Sequence, residues 1–542
     1  MMKTNGKASK ALALCLALLM AIGLFGTTAF ALGQNDTGNI TVSGVENGVA
    51  VSAYRLMDVK INANGQPQEP VYTWVSAIAG WVRTNYSTYI GKEETDNSVQ
   101  IAFSTAEADA IAVFYDALAA AIKDGSIPGF PAAATENAAN GGATLSNLAM
   151  GNYLILIENG YRVYRPSAVN LVPEWKDGSW QMTAPAAVAV KSSEPTISKT
   201  VKADEEGEGK GKDNASIGDT VTFEIVADVP RFPANALAKN YAISDKLPDG
   251  LKLTDDSIEV FGVNGQDETP LTAGAGNAYT QGNQRPNNGG ESSFTLTFVY
   301  AQISGYEKIR VEYTAMLTGD AVLGGNGNVN NAYLDYSNNP YVSADWKEKT
   351  DSATVYTYGL DISKVDKEDG TTPLAGAEFE LYASLDNATG ETGKISFVKE
   401  GDGVYRVATQ DDAEADKTPT LVVGEGDTVK GKLTIRGLDE GTWYLKETKA
   451  PGGYNLLASP VEVEIVDADD DGELDGKVKN AAEGATGEAV ALVTLMVEND
   501  NGFQLPTTGG IGTILFTAVG VVLMGAAVVL VIVALKKKRA ED

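Results

Sequence analysis

Short runs in which apolar and polar residues alternate dominate the chain: VTFEIVADV, SFTLTFVY, KIRVEYTAML, KLTIRGL and VEVEIV, bounded by Gly, Asn and Asp turns. A period of two sends alternate side chains to opposite faces of a strand, and many short half-buried strands predict all-β sandwiches. One stretch breaks the pattern. Thr105 to Lys123, TAEADAIAVFYDALAAAIK, is alanine-rich, carries an apolar stripe and has Gly125 just beyond it, which predicts a helix inserted in the first domain. The two ends differ again. Lys3, Lys7 and Lys10 precede an apolar run from Ala11 to Phe25, and Ala29-Phe30-Ala31 offers small residues where a signal peptidase reads, so cleavage is expected after Ala31. Near the other end, Ile511 to Leu535 is 25 residues without a charge, enough to cross a hydrocarbon core of about 30 Å. Lys536 to Arg539 then holds the C-terminus inside, so that everything upstream lies outside the cell.

Between these signals an echo marks boundaries. TISKTVKADEEGEG at Thr196 and DISKVDKEDGTTP at Asp361 both run Ile-Ser-Lys into a Lys/Asp-rich turn, and each follows a segment of linker character, KSSEP and TVYTYG. The reading is a signal peptide over 1–31, sandwich domains over 32–193, 194–356 and 357–503, and a C-terminal signal over 504–542 with its transmembrane helix at 511–535.

Charge and missing residue types narrow the function. Without leader and tail, the 42 basic and 72 acidic residues fall to 35 and 70, a net of −35. Such a surface argues against nucleic acid. There is no histidine, which excludes nucleophile triads and His-liganded zinc as usually built. The only cysteine, Cys15, lies in the leader, where Ala13-Leu14 fits a lipid-attachment site poorly. The exported protein therefore has no disulfide, the usual staple of exported proteins.

Three residues in the third domain point where apolar side chains point. Leu360, Ile362 and Lys364 are in phase, as are Trp443, Leu445 and Glu447, and Val493, Leu495, Val497 and Asn499. The second domain repeats the order Lys, acid, Asn: Ile197, Lys199 and Val201; Tyr241, Ile243, Asp245 and Leu247; Asn330, Ala332, Leu334 and Tyr336. Here too the lysine is placed on the domain's first strand and the asparagine on its last. A salt bridge with an asparagine nearby is the plain alternative, and buried lysine and glutamate are costly unless paired. The chemistry that uses all three is intramolecular amide formation. Desolvation lowers a lysine pKa and raises a carboxylic acid's, giving a neutral amine beside a protonated acid that can polarise the asparagine carbonyl. Held reactants reach effective molarities up to about 10⁸ M, so geometry replaces an enzyme.

With these features the chain resembles the backbone, or major, pilins of Gram-positive sortase-assembled pili, over the whole precursor. The resemblance implies a helix-bearing N-terminal domain, a fimbrial isopeptide-forming middle domain and a collagen-adhesin B-type third domain, all immunoglobulin-like sandwiches. YLKETKAPGGY looks like the family's E-box with Glu447 as its acid, and VENDNGFQLPTTGG like the terminal strand and sorting signal with Asn499 as acceptor. The implied cross-links are Lys199–Asn330 assisted by Asp245, and Lys364–Asn499 assisted by Glu447. Asn331 rivals Asn330, which is preferred because it shares the face of Ala332 and Leu334. The first domain's opening strand has no lysine before Lys60, so no cross-link is expected there.

Leu505, Pro506, Thr507, Thr508 and Gly509 match the sortase signal LPxTG directly before the span and basic stop. By the resemblance, a pilus-type sortase cuts after Thr508 and holds the protein as a thioester. The amine that receives it is a lysine closing the first domain, in a motif like WxxxVxVYPK. Here WQMTAPAAVAVKSSEP offers Trp180, Val188, Val190 and Lys191, without the tyrosine-proline and with the tryptophan further off. Lys191 to Thr508 would join identical subunits head to tail into an open filament. The implied partners are the sortase, accessory pilins and peptidoglycan, with the host surface beyond.

In DADDDGELD, Asp467, Asp469, Asp471 and Asp475 stand at positions 1, 3, 5 and 9 of a Ca²⁺ loop, but Val478 occupies position 12, where a bidentate acid belongs. An acidic turn fits the same residues, and no other cofactor is implied. Two rival functions remain at this point. An adhesin anchored singly to peptidoglycan, or a minor tip or basal pilin, keeps both amides without Lys191 chemistry. A surface carbohydrate-active enzyme would use paired carboxylates, and leaves the in-phase lysines unexplained.

Overall fold

The computed structural model describes residues 32–501 apart from 64, 177–178, 183–184, 204–208, 234–235, 340, 343–344, 468–473 and 475–490, and the helix Ile511–Lys538. The signal cleavage site at Ala31 and the sortase motif Leu505 to Gly509 lie outside the described residues.

The protein is mostly strand, arranged in successive sandwiches. In the first, Thr37–Ser43 pairs in parallel with Ala186–Ala189 and antiparallel with Gly142–Ala149, while Ala50–Ile61 and Gly151–Glu158 are central in a second sheet that ends at Ser167–Leu171. The expected helix forms, but later than its pattern suggests. Ala108–Lys123 starts after Glu107 in an extended conformation, and Thr105 instead closes a separate short helix, Ile101–Ser104. A helix that the alternation does not reveal, Ser76–Asn85, joins them. Phe114 and Leu118 pack with Ile78, Trp74 and Leu154 in one aromatic-rich core.

The middle sandwich sets Ile197–Lys202, Thr220–Asp228 and Lys308–Leu317 in one sheet. The other contains Tyr241–Lys246, Asn328–Tyr336 and Lys347–Tyr356. This corrects one expectation. Asn330 is on the penultimate strand of the domain, and Lys347–Tyr356 follows it, pairing Ala353 with Asn330. The first half of that strand, KEKTDS, carries no apolar residue, so nothing in it alternates visibly. Its second half reads as linker in the sequence. Ala353, Val355, Tyr356, Thr357 and Tyr358 are instead buried, and the Tyr358 hydroxyl donates to Asp467 Oδ2 with Asn214 Oδ1 3.0 Å away. The second and third sandwiches consequently share one continuous apolar core.

In the third sandwich the first strand, Tyr358–Asp366, lies between Lys432–Leu438 and the parallel last strand Leu492–Asn499. The facing sheet holds Glu378–Tyr382, Gly441–Lys449 and Val461–Ile465. A glycine is required where the first strand is pinned. Gly431 has φ +74°, and a Cβ there would sit 2.9 Å from the Lys364 carbonyl oxygen and 2.7 Å from Pro373 Cβ. Its own carbonyl accepts the Lys364 N–H at 2.7 Å.

The C-terminal apolar run forms the helix Ile511–Lys538, whose side chains are exposed where they are described, at Val519 and from Val521 to Val533. Among the residues whose side chains are described, which in this helix are Val519 and Val521 to Val533, none forms a helix long and apolar enough to cross a membrane.

Candidate functional site: two buried lysine, acid and asparagine clusters

In the middle domain the amine comes from one sheet and its partners from the other. Lys199, Asp245 and Asn330 are each 2% exposed or less. Asp245 opposes Ala332 in the ladder, two residues from Asn330, so both point into the core from adjoining strands. Lys199 Nζ donates to Asp245 Oδ2 and, at 2.7 Å, to the Tyr313 hydroxyl. The Asn330 amide donates to that same hydroxyl at 2.8 Å. Amine and carboxamide thus lie within one hydrogen bond of a single oxygen. Asp245 Oδ1 and Asn330 Oδ1 have no donor.

The surroundings are aromatic, with Lys199 Nζ 5.0 Å from the centre of the Phe223 ring. Burial pushes the lysine pKa down and the Asp245 carboxyl up, each against the pull of the other's charge. Both shifts move the pair toward a neutral amine beside a protonated acid. Asn331 faces the other way, opposite Lys246, and is only half-buried. Tyr313 is not among the residues the sequence singles out. Its one visible sign is that it is in phase with Val311 and Ala315 in KIRVEYTAML, as an ordinary core tyrosine would be.

The third domain solves the geometry differently. Lys364 and Asn499 sit on neighbouring parallel strands of one sheet. Lys364 is opposite Val497, and Asn499 lies two residues further along the same face. Glu447 reaches them from the opposite sheet. Lys364 Nζ lies 3.7 Å from Glu447 Oε1 and donates to the Val497 carbonyl at 3.1 Å. Glu447 Oε2 accepts from the Asn499 amide at 2.9 Å and from the Leu457 N–H at 2.9 Å, while the Asn499 amide also donates to the Asn455 carbonyl at 2.6 Å. The loop after KAPGGY therefore orients both acid and acceptor. Asn499 Oδ1 is left without a donor, as is Glu447 Oε1. Burial lowers the Lys364 amine to about 8 despite the nearby Glu447 charge.

This shift has a measurable sign. Asn499→Ala, which has no acceptor, leaves the lysine free to titrate. Its folded pKa is about 8, against about 10.4 unfolded. Between these the unfolded state holds the extra proton, so stability rises with pH across the window, by up to roughly 3 kcal/mol. Urea melts of this variant at the two ends of that window measure it, and stability falling with pH would contradict it.

Of the remaining candidates, Lys191 is exposed just beyond Ala186–Ala189, its backbone held by the Arg165 N–H, which donates to its carbonyl at 3.0 Å. Asp467 is buried and accepts from Tyr358, so it forms part of the joint between the later domains. Asp469, Asp471 and Asp475 lie outside the described residues, and among the described residues no cluster of three metal-ligating side chains forms.

Comparison with known proteins places these features. The prealbumin-like fold domain family matches residues 359–480, and the LPXTG cell wall anchor motif matches 497–542. The trypsin-resistant surface T6 protein of Streptococcus pyogenes serotype M6 is 24% identical, in an alignment covering 96% of this chain and 99% of that one. A second relative, the type 1 fimbrial subunit of Actinomyces viscosus, is 25% identical over 60% of this chain and 62% of its own. The chain is thus similar to surface and fimbrial proteins of Gram-positive bacteria along most of its length. Two solved structures, both of major pilins, share its fold. The T6 backbone pilin of Streptococcus pyogenes has a TM-score of 0.55 at 19% identity, covering 87% of this chain and all of that one. The major pilin SpaD of Corynebacterium diphtheriae has a TM-score of 0.50 at 19% identity, covering 88% and 100%. The anchor match makes the chain a wall-anchored surface protein, and its relatives are named as a surface protein and a fimbrial subunit.

Proposed function

We propose that the protein is the backbone subunit of a covalently polymerised surface filament, whose two later domains close themselves with Lys199–Asn330 and Lys364–Asn499 amides. The observation that carries this reading is the pair of buried clusters, each joining a desolvated lysine, an acid and an asparagine whose carbonyl lacks a donor. In each, the lysine Nζ attacks the asparagine Cγ, a new bond forms between Nζ and Cγ, the bond from Cγ to the asparagine's own nitrogen breaks, and ammonia leaves. The carboxyl of Asp245 or Glu447, protonated by transfer from the ammonium, donates to the carbonyl oxygen, passes its proton to the departing nitrogen, and takes up the second proton that the attacking nitrogen sheds as it becomes an amide. Simple salt bridges would leave those carbonyl oxygens unpaired in the core, at about 1–3 kcal/mol each.

Polymerisation uses the two ends. A pilus-type sortase cleaves after Thr508, and the exposed Lys191 of a second copy takes the acyl group. The last linkage goes to peptidoglycan, and accessory pilins join the same way. Cell-wall extracts test this: wild type gives a ladder of covalent multimers, and Lys191→Ala a single band. A ladder that survives Lys191→Ala assigns the linkage to another amine, and a single band in wild type supports a singly anchored adhesin.

A further inference from the structure

The last residues of the first domain are held, at one remove, by a segment of the second. The Lys191 side chain is exposed, but the backbone around it is fixed: its carbonyl accepts the Arg165 N–H at 3.0 Å, and Ser192 and Ser193 pair with Tyr164 and Val163. Part of what fixes Arg165 and its neighbours comes from far along the chain. Residues 337–346 join the strand that carries Asn330 to the one that follows it, and they lie against the first domain as an arm. Tyr341 on this arm is 6% exposed, sits in the first domain's aromatic core with Phe114 and Leu118, and directs its hydroxyl at Asp116 Oδ1, 3.4 Å away. The Asn338 amide donates to the Gly160 carbonyl, the Tyr336 hydroxyl to the Tyr161 carbonyl, and the Asn339 amide to Glu158 Oε1 at 2.9 Å. Arm and first domain meet at one small cavity, lined by Asn339 and Tyr341 from the arm and by Tyr164 and Arg165 from the segment beside Lys191. The arm is also closed on itself, since Asp345 Oδ2 accepts the Asn338 and Asn339 N–H groups at 3.2 and 2.7 Å.

We infer, on the head-to-tail reading above, that Tyr341 and Asn338 are positioning residues for the linkage at Lys191. The docked arm holds the segment 158–165, that segment holds the backbone of residues 191–193, and the amine is presented at a fixed place. Glu46 braces the same segment from within the first domain, accepting the Arg162 N–H at 2.9 Å, and the arm completes that support from outside. An amine on a free tether samples many directions; holding it where an acyl group arrives removes entropy that the reaction would otherwise have to supply. Because the arm belongs to the second domain, presentation is coupled to that domain's assembly. Lys191 is eight residues before Lys199 and Tyr341 eleven after Asn330, so the middle-domain amide ties the root of the arm to the segment that carries the amine. A chain whose second domain is unassembled cannot place Tyr341, and it presents Lys191 poorly. Polymerisation then favours finished subunits without a separate factor to inspect them.

Hydrogen exchange and cell-wall extracts read the two steps separately. In the ectodomain, residues 32–501, Tyr341→Ala and Asn338→Ala should each speed exchange of the Arg165 amide about tenfold or more. In cells carrying the full chain, each should lower the ratio of covalent multimers to monomer by about tenfold. Asn338→Ala removes no atom from the first domain's core, so its Phe114 and Leu118 amides should exchange as in wild type, which separates lost positioning from lost folding. Tyr341→Phe keeps the ring and loses only the hydroxyl, and should return both readings to the wild-type level. Ladders unchanged in Tyr341→Ala and Asn338→Ala overturn the proposal whatever the exchange rates, and so do reduced ladders with an unchanged Arg165 amide. It is equally overturned if Asn338→Ala frees the Arg165 amide only together with Phe114 and Leu118, or if Tyr341→Phe fails as Tyr341→Ala does. A ladder that survives Lys191→Ala removes the head-to-tail reading instead, while Arg165 exchange still reports whether the arm holds its segment.

Discussion

Asp245→Ala and Glu447→Ala should each retain, beyond the mass change of the substitution itself, the one ammonia that wild type loses at that site, and should lower the melting temperature by roughly 10–20 °C. The mass follows from the chemistry. Without the acid, nothing near Lys199 or Lys364 can take the ammonium proton and return it to the leaving nitrogen. The stability follows from the loop that each amide closes. Each proposed amide joins residues about 130 apart in sequence, and closing a loop of that size stabilises by about 5 kcal/mol if an amide acts as a disulfide does. For domains of 150–250 residues, each kcal/mol moves the midpoint by about 2–4 °C. Two further variants separate causes. Glu447→Gln keeps the volume and one oxygen acceptor; if its mass still lacks both ammonia molecules, the acid is not needed. Tyr313→Phe removes only the hydroxyl that both Lys199 and Asn330 donate to, and should slow closure of the middle domain without touching the third. Wild type that retains both ammonia molecules ends the cross-linking account altogether.

What is legible in the sequence are positions where local rules conflict. Lys364, Glu447 and Asn499 stand out because period two forces polar groups among Ile362, Leu445 and Val497, and the structure buries all six. Tyr313 breaks no rule in its strand, since a tyrosine among Val311 and Ala315 is what a core contains; its role lies in its hydroxyl, which only the fold aims. The strand Lys347–Tyr356 is hidden for the opposite reason. Its first six residues pair with Asn331 to Tyr336 through the backbone alone, and a ladder leaves no mark on side-chain polarity. The contrast between the two clusters, across two sheets in one and between adjacent strands in the other, depends on strand order, which alternation does not encode.

Strand order also decides how the filament bears load. Pulled between Lys191 and residue 503, the wild-type ectodomain should lengthen by no more than about 110 Å before it becomes inextensible. Tension would enter at Lys191, pass through the Lys199–Asn330 amide, follow the backbone to Lys364, and leave through the second amide at Asn499. Residues 200–329 and 365–498 are bypassed, and the first domain hangs to one side. Because Asn330 is on the penultimate strand, residues 331–363 stay in the line of force, and at about 3.3–3.6 Å per residue they supply that length. They also carry what holds the first domain. Tyr341, 6% exposed, sits in the first domain's aromatic core, and the Asn339 amide donates to Glu158 Oε1 at 2.9 Å. The strand Lys347–Tyr356 should peel first and withdraw Tyr341, so undocking of the first domain should coincide with the lengthening. Lys199→Ala restores residues 200–329 to the path and should raise the extension to roughly 600 Å. A wild-type extension of that size would mean that the middle-domain amide does not carry load, and none at all would mean that residues 331–363 are shielded by contacts stronger than strand pairing.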